Sequence, residues 1–283
     1  MVDPSSIEVN RRQRRAKTDR LDVKKLLQML TRYRLHGETA VWKVVHVPTE
    51  EQEDELRLHR ERERLKKERT AQITCIRPLL ALHGIHIDKL PTGALNTLQD
   101  WRGRPLPAGL LAELERELER FALLQAQLAA VEKQQAARLE DPRTVADVKA
   151  AKLSQLRGMG MTSAWILAKE FFGWRNFRNR RQVGALSGLT GTPYASGGIA
   201  RDQGISKTGN KRVRAMMLEL AWSWLRFQPR SELPKWFELR FGHGGKRLRR
   251  TGIVALTRKL LVALWKYVDK DELPAGQILL TAD

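Results

Sequence analysis

The chain has 283 residues, and its 52 lysines and arginines against 32 aspartates and glutamates give a formal net charge of +20. This excess favours a polyanionic partner such as DNA or RNA, and the lack of any run of 18 or more uncharged apolar residues argues against a membrane role. The single cysteine, Cys75, excludes an internal disulfide framework and a cysteine-based zinc site, so a reducing cytoplasm is the expected compartment.

The first predicted elements lie between residues 1 and 48. Residues 6–9 are a short extended candidate, residues 41–47 are β-prone, and a helix is predicted from Lys17 onward. Asp19 and Asp22 are three residues apart in its first turn, so both carboxylates lie on one face of the helix. Such a pair can hold Mg²⁺ in a phosphoryl-transfer site, or it can simply offset the helix dipole, and the residues leave both interpretations open.

Two long helices are predicted between residues 49 and 142. Charges of alternating sign from residue 50 to 69 are typical of a solvated helix, and apolar residues continue it to Leu82. After a loop rich in proline and glycine, a second helix over 110–139 carries apolar residues at heptad spacing, with Glu117 at one of those positions. The two helices would form an antiparallel hairpin within the chain or an intermolecular coiled coil. Asp141-Pro142 ends the second helix.

The remaining residues, 143–283, are predicted to be helical as well. Residues 156–167 have the spacing of a helix-hairpin-helix element, in which the turn at Gly158 and Gly160 would present backbone N–H groups to a phosphate. An ordinary packing unit of two helices would have the same pattern. Further helices are predicted over 209–227 and 252–267, with a basic patch at 246–250 between them. The tryptophans predicted to lie in the core are Trp165, Trp222 and Trp265, whereas core packing and base stacking are both open for Trp174.

A glycine-rich segment around Ser196 is the most informative part of the chain. Gly197 and Gly198 follow the serine directly, so the backbone can approach a ligand closely, and Ala195 leaves the hydroxyl open. The basic run 206–214 comes next and offers cations to phosphates. A hydroxyl held beside a phosphodiester is what a DNA strand-transfer enzyme needs. The alternative is a surface loop that leads into a helix N-cap.

These patterns give one set of candidate nucleic-acid-binding residues. They are Lys17, Gly158, Gly160, Arg201, Lys207, Lys211, Arg212 and Arg214. The six histidines show no metal-ligand spacing beyond His83-x-x-His86, a pair that is interpreted as structural because no third ligand is near it. The glycine-rich residues 242–246 lack the Walker pattern, so no nucleotide site is predicted there.

Taken together, these residues resemble the DEDD-type insertion-sequence transposases of the IS110 family, the RNA-guided serine recombinases. The resemblance rests on residues 14–22, the helical middle, the turn at 158–160 and the run 194–212. It implies that Asp19 and Asp22 are the last two metal-binding acids of a ribonuclease H-like domain, that the metal is Mg²⁺, and that Ser196 forms a phosphoserine link to DNA. It also implies a structured guide RNA, a homodimer or homotetramer, and a place at the nucleoid of a bacterial cytoplasm.

The chain departs from that family's pattern at its start. The family begins with a strand that carries an aspartate, followed well downstream by a glutamate, whereas only 16 residues precede Lys17 here. We therefore expect a truncated reading frame whose acidic cluster is incomplete and which is inactive alone in DNA exchange. The alternative function is a non-catalytic DNA- or RNA-binding fragment.

The expected fold is mainly α and has three parts. Residues 1–48 would be the C-terminal remnant of an α/β ribonuclease H-like domain, and residues 49–142 the helical hairpin or coiled coil. Residues 143–283 would form a C-terminal helical domain that carries the helix-hairpin-helix element and the serine motif.

Overall fold

The computed structural model describes residues 1–8, 18–91, 95–196 and 199–280. Within these ranges the chain is mainly helical, which confirms the predicted class. The helices are α1 (Asp19–Arg34), α2 (Glu50–Asp54), α3 (Arg57–Ala81), α4 (Ala108–Glu140), α5 (Val145–Ser154), α6 (Met161–Leu167), α7 (Arg180–Leu186), α8 (Lys211–Phe227), α9 (Glu232–Phe241) and α10 (Lys246–Lys270). A π-helical segment (Ala168–Phe172) continues α6, two strands, β1 (Gly191–Ser196) and β2 (Ile199–Ile205), separate α7 from α8, and short 3₁₀ turns lie at Pro4–Ser6 and Leu95–Thr97. No helix in the described ranges is both long enough and apolar enough to cross a membrane.

The chain divides into two compact units, Met1–Gln52 and Glu53–Asp283. In the first unit the described part of the extended candidate at 6–9 does not form a strand, and the β-prone piece at 41–47 contributes only an isolated bridge between Val2 and Val44. The physical reason is that two short extended segments do not form a stable sheet by themselves. They need a further strand or a helix that buries one of their faces. The predicted helix is present as α1, with Asp19 and Asp22 in its first turn.

In the second unit α3 and α4 pack against each other in opposite directions. Leu65 near the start of α3 packs with Leu128 and Val131 in the second half of α4. Ile76 and Leu80 near the end of α3 pack with Leu114 in the first half of α4, so contacts that come later in α3 come earlier in α4. The two helices therefore form the antiparallel pair that the sequence predicts within one chain.

The largest core of the second unit forms around α10, whose Leu256, Leu260 and Leu264 are fully buried. Trp165 and Trp265 are buried, as predicted, and Trp265 is part of this core. The core prediction for Trp222 is wrong, because 46% of its surface is exposed. On α8 the buried tryptophan is Trp224. Two positions along an α-helix are about 200° apart around its axis, so Trp222 faces away from the side on which Trp224 is buried.

The basic patch at 246–250 is part of α10 and does not lie between helices. The sequence placed the helix start at Gly252, but this glycine lies inside α10, where a Cβ would come within 2.5 Å of the Phe241 ring. The glycine is therefore present because α9 and α10 approach each other closely, not because a helix begins there.

Candidate nucleic-acid interface

Ser196 is the last residue of β1, at the outer end of an antiparallel hairpin. It lies opposite Ile199, the first residue of β2, and its side chain is exposed. Gly197 and Gly198, which join the two strands in sequence, lie outside the described residues. Arg201 of β2 pairs with Tyr194 of β1, and the structure describes only the backbone of Arg201. The serine hydroxyl is therefore open to a ligand at the end of a strand.

The base of this hairpin is a close crossing of two backbone segments. The amides of Ser206, Lys207 and Asn210 donate to the carbonyls of Thr190 (2.8 Å), Gly188 (3.2 Å) and Leu186 (3.1 Å). Gly188 has a φ of +70°, and a Cβ there would lie 2.1 Å from the carbonyl oxygen of Thr208. Gly209 has a φ of +98°, and its Cβ would lie 2.2 Å from the carbonyl oxygen of Leu186. Both positions require glycine, so the entry and the exit of the hairpin are fixed against each other.

The predicted basic residues of this region divide into two groups. Lys207 and Lys211 are exposed, the first on the segment that leaves β2 and the second in the first turn of α8. Arg214 is half-buried, and its guanidinium donates to the carbonyl of Ser187 at 3.4 Å. Arg212 forms ion pairs with Glu63 (2.9 Å) and Glu170 (3.2 Å). The two lysines can reach a phosphate directly, whereas the two arginines also brace the protein.

Glu170 is the centre of a buried polar cluster that the sequence did not predict. Its Oε1 is 2.8 Å from Nε2 of His59, and its Oε2 accepts a hydrogen bond of 3.1 Å from the Asn210 side chain. Asn210 is also the N-cap of α8, where its side chain accepts from the amides of Arg212 and Val213. The side chain of Glu170 is only 6% exposed. The cluster thus ties α3 to the start of α8, immediately after the segment that leaves the serine hairpin.

The electrostatics of this cluster keep Glu170 ionised. Burial by itself would raise the pKa of Glu170, but the hydrogen bond and charge of His59, the hydrogen bond from Asn210 and the charge of Arg60 lower it from 4.5 to about 2. Arg175 donates to the carbonyl of Glu170 at 2.7 Å, and burial lowers the pKa of Arg175 to about 10. Its guanidinium also stacks 3.7 Å from the ring centre of Trp174, so that face of the indole is already covered by a cation of the same chain.

A second buried ion pair lies on the neighbouring residue of the same π-helical segment. Nζ of Lys169 is 2.6 Å from Oδ1 of Asp147 and 3.1 Å from Oε2 of Glu55, and neither the lysine nor the Asp147 side chain is exposed. Asp147 also forms a capping box with Thr144 at the start of α5. Burial would raise the pKa of Asp147, but the hydrogen bond and charge of Lys169 lower it below its usual value. Adjacent residues of opposite charge therefore fasten this segment to three other parts of the unit.

A Glu170→Gln variant is expected to be less stable than the wild type at neutral pH but also less sensitive to acid. The folded-state pKa of Glu170 is lowered, so its carboxylate stabilises the fold above about pH 4.5, and this stabilisation is lost as the pH falls toward about 2. The glutamine cannot titrate, so the free energy of unfolding should fall less steeply across that interval. Urea unfolding at a series of pH values measures this slope, with Glu113→Gln on the exposed side of α4 as control. Equal acid slopes in Glu170→Gln and wild type would contradict the expectation.

The turn at Gly158 and Gly160 lies between α5 and α6, as the sequence predicts. Gly158 has a φ of +86°, and its carbonyl accepts a hydrogen bond of 2.8 Å from Oγ of Ser223. Gly160 is exposed and is the N-cap of α6. The turn is therefore accessible on its outer side and fastened to α8 on its inner side.

Asp19 and Asp22 lie in the first unit, and both are exposed in the first turn of α1. Mg²⁺ takes six oxygen ligands in octahedral geometry. Within the described ranges no group of three or more histidine, cysteine, aspartate and glutamate side chains is placed to hold a metal ion. Two carboxylates on one helix turn do not provide that geometry, so the described residues do not form a complete magnesium site. Lys17, which the sequence groups with them, lies outside the described residues.

Comparison with known proteins shows that the chain is similar to transposases. Residues 150–234 match the model of a family described as "Transposase IS116/IS110/IS902 family". The chain is 41% identical over 293 residues to "Putative transposase y4rJ" of Sinorhizobium fredii (strain NBRC 101917 / NGR234), with 99% of this chain and 74% of that protein covered.

Two further similar proteins are matched over shorter stretches. The chain is 32% identical over 179 residues to "Probable family 20 transposase" of Pseudomonas aeruginosa, covering 62% of this chain and 51% of that protein. It is 28% identical over 210 residues to "Transposase for insertion sequence element IS1328" of Yersinia enterocolitica, covering 72% and 58%. The chain thus spans somewhat more than half the length of these two relatives.

Proposed function

Since this chain belongs to the IS116/IS110/IS902 family of transposases, we propose that Ser196 is the nucleophile of a DNA strand exchange that also needs acidic groups besides Asp19 and Asp22. The observation that carries the proposal is the position of the hydroxyl: it is exposed at the end of a hairpin whose base is fixed by Gly188 and Gly209. A nucleophile must be open to its substrate and yet held in place, and this hairpin meets both needs.

The chemistry is a transfer between phosphodiesters. Oγ of Ser196 attacks the phosphorus of a DNA phosphodiester and forms a new bond to it, while the bond from phosphorus to one sugar oxygen breaks. The proton lost by the serine is balanced by the proton that the leaving sugar hydroxyl gains. A second sugar hydroxyl then attacks the phosphoserine and releases the enzyme. No electrons are gained or lost, and the number of phosphoester bonds is conserved.

The basic residues would hold the DNA backbone around this reaction. Lys207 is exposed on the segment that joins β2 to α8, and Lys211 is exposed in the first turn of α8, so both suit contacts with phosphates near the reacting one. We propose a phosphate contact at the turn of Gly158 and Gly160 and another at Arg201, as the resemblance implies. Arg212 and Arg214 would act mainly by fixing the start of α8, since both already bond to protein groups.

Replacing Lys207 and Lys211 together by alanine is expected to weaken binding to duplex DNA of any sequence. Each phosphate contact that is lost lowers the magnitude of the slope of log affinity against log salt concentration by about 1. The slope of the double variant should therefore be smaller by about 2. Fluorescence anisotropy with a labelled duplex at several salt concentrations measures the slope. The control is Lys67→Ala with Lys133→Ala on α3 and α4, which removes the same charge from the helical pair. An equal decrease in both double variants would contradict a specific role for Lys207 and Lys211.

We propose further that Asp19 and Asp22 contribute two oxygen ligands to a Mg²⁺ ion, with the other ligands supplied by groups beyond the described residues. Mg²⁺ would supply charge neutralisation at the phosphate. A structured guide RNA and a dimeric or tetrameric assembly are proposed on the family resemblance. Base pairing between the guide RNA and the DNA would then select the DNA sequence. The protein's exposed cations would contact the phosphates of the nucleic acid, which carry no sequence information.

The proposal is tested by trapping a covalent link between Ser196 and DNA. A second candidate, a non-catalytic nucleic-acid-binding protein, shares the basic surface but requires no such link. Salt-dependent DNA binding is common to both functions, so the covalent link separates them.

A further inference from the structure

Trp222 and Phe227 are two large, exposed aromatic side chains of α8. Trp222 is 46% exposed and Phe227 is 40% exposed, although the other large apolar residues of this helix pack toward the core. Leaving such side chains in water costs free energy relative to burying them. Trp222 and Arg226 are four residues apart and therefore lie on one face of α8, about 40° apart around its axis. The exposed indole and the exposed cation on this face indicate a surface that a ligand covers.

The helix that carries this surface, α8, is joined to the turn at Gly158 by several contacts. Oγ of Ser223 donates to the carbonyl of Gly158, and Nε2 of the buried Gln228 donates to the carbonyl of Arg157, each at 2.8 Å. A Cβ on Gly158 would lie 2.9 Å from Cβ of Phe227, so the glycine lets the turn lie directly against the phenylalanine. The turn is therefore fixed against α8, and Trp222 directly precedes Ser223, the residue that bonds to the turn.

The charges around this surface fit a polyanion. The guanidinium of Arg226 lies 5.3 Å from the ring centre of Phe227, and Arg226 and Arg157 are both exposed. Neither arginine forms an ion pair with a carboxylate among the residues that the structure describes. Aromatic rings with free guanidinium groups beside them are the chemistry that binds unpaired nucleotides, in which the ring stacks on the base and the cation meets the phosphate.

We propose that Trp222, with Arg226 on the same face of α8, stacks an unpaired nucleobase of the bound nucleic acid near the turn at Gly158. A fully paired duplex keeps its bases stacked inside and offers no free base face, so the surface would bind a strand end, a bulge or a loop. The inference rests on the proposed nucleic-acid binding, but it does not depend on strand exchange or on Ser196.

The test compares binding to a blunt DNA duplex with binding to the same duplex carrying a short single-stranded overhang, and repeats the pair in RNA. A Trp222→Ala variant should bind the overhang substrates about tenfold more weakly, the effect of losing one stacked base, and the blunt duplexes within about twofold. Trp222→Phe should retain most of the affinity. Trp101→Ala is the matched control, because Trp101 is 67% exposed and has the Arg102 guanidinium 4.2 Å from its ring centre, on a different part of the chain.

A second variant, Arg226→Gln, guards against a folding defect in Trp222→Ala and should also weaken overhang binding alone. Loss limited to the DNA pair or to the RNA pair identifies which nucleic acid supplies the base, and either supports the inference. Equal losses on blunt and overhang substrates, a loss in Trp101→Ala of the same size, or a wild type without any preference for overhangs would overturn it. In each of those cases intact binding to the blunt duplex leaves the proposed function standing, whereas no binding to any of the four substrates would remove both.

Discussion

A Ser196→Ala variant is expected to form at least about 1,000-fold less covalent adduct with DNA than the wild-type chain. The alanine has no oxygen that can attack the phosphorus and form the phosphoester bond. Nearby hydroxyls are poor substitutes. Oγ1 of Thr192 donates to the carbonyl of Gly204 at 2.9 Å, and Oγ1 of Thr208 donates to Oγ of Ser206 at 3.1 Å. These groups are already engaged in hydrogen bonds at the base of the hairpin.

The measurement is a denaturing gel of reactions that contain the chain, labelled DNA partners, guide RNA and Mg²⁺. Ser206→Ala is the matched control, since it removes a hydroxyl from the same hairpin region without touching the outer end. An adduct that persists in Ser196→Ala, or that is lost equally in Ser206→Ala, would contradict the assignment of the nucleophile. A wild type that binds DNA but yields no adduct would agree with the expected inactivity of the chain alone, and would favour the non-catalytic function if no adduct forms once the remaining acidic groups are supplied.

Gly209→Ala is expected to destabilise the protein by at least about 3 kcal/mol, since a Cβ in this left-handed backbone would lie 2.2 Å from the Leu186 carbonyl oxygen. Gly204→Ala is the matched control. Gly204 also has a left-handed φ, +84°, but a Cβ there meets nothing within 4 Å. The Gly204→Ala substitution should therefore lower the free energy of unfolding only by the conformational penalty of a left-handed backbone, about 1 kcal/mol.

Chemical denaturation of both variants measures the difference, and limited proteolysis reports whether the base of the hairpin has opened. Equal losses of stability in Gly209→Ala and Gly204→Ala would show that the close crossing adds nothing to the backbone strain. If the crossing holds the serine in place, adduct formation should fall in Gly209→Ala even below its unfolding temperature.

The helical part of the fold could be predicted from the sequence because its signals are local. Heptad spacing indicated α4, and the charged run before apolar residues indicated α3. The sequence left open whether the two helices pair within the chain or between chains, and the structure shows the antiparallel pair within the chain. The β hairpin at Ser196 was not predicted, because its strands show no alternation of apolar and polar residues and few of its described residues are buried. The sequence pointed to Ser196 as a candidate by its glycine-rich setting, and the structure places this residue at the end of a strand.

The cluster around Glu170 could not be predicted because its members come from distant parts of the chain. His59 and Glu170 are 111 residues apart in sequence. A signal was nevertheless present: Lys169 and Glu170 stand next to each other inside the apolar run from Trp165 to Phe172. Charged residues at positions that should be buried are rarely tolerated without partners, so such a pair predicts a buried ionic network even when the partners cannot be named.

The π-helical turn at 168–172 also makes this region of the chain sensitive to the deletion of a residue. Its Lys169 side chain is directed to Asp147 and its Glu170 side chain to His59, on two different sides. Deleting one residue would allow an ordinary α-helical turn, but everything beyond the deletion would rotate by about 100° relative to what precedes it. At least one of the two charges would then be buried without its counter-ion. Side chains around this turn can therefore be exchanged more readily than a residue can be removed from it.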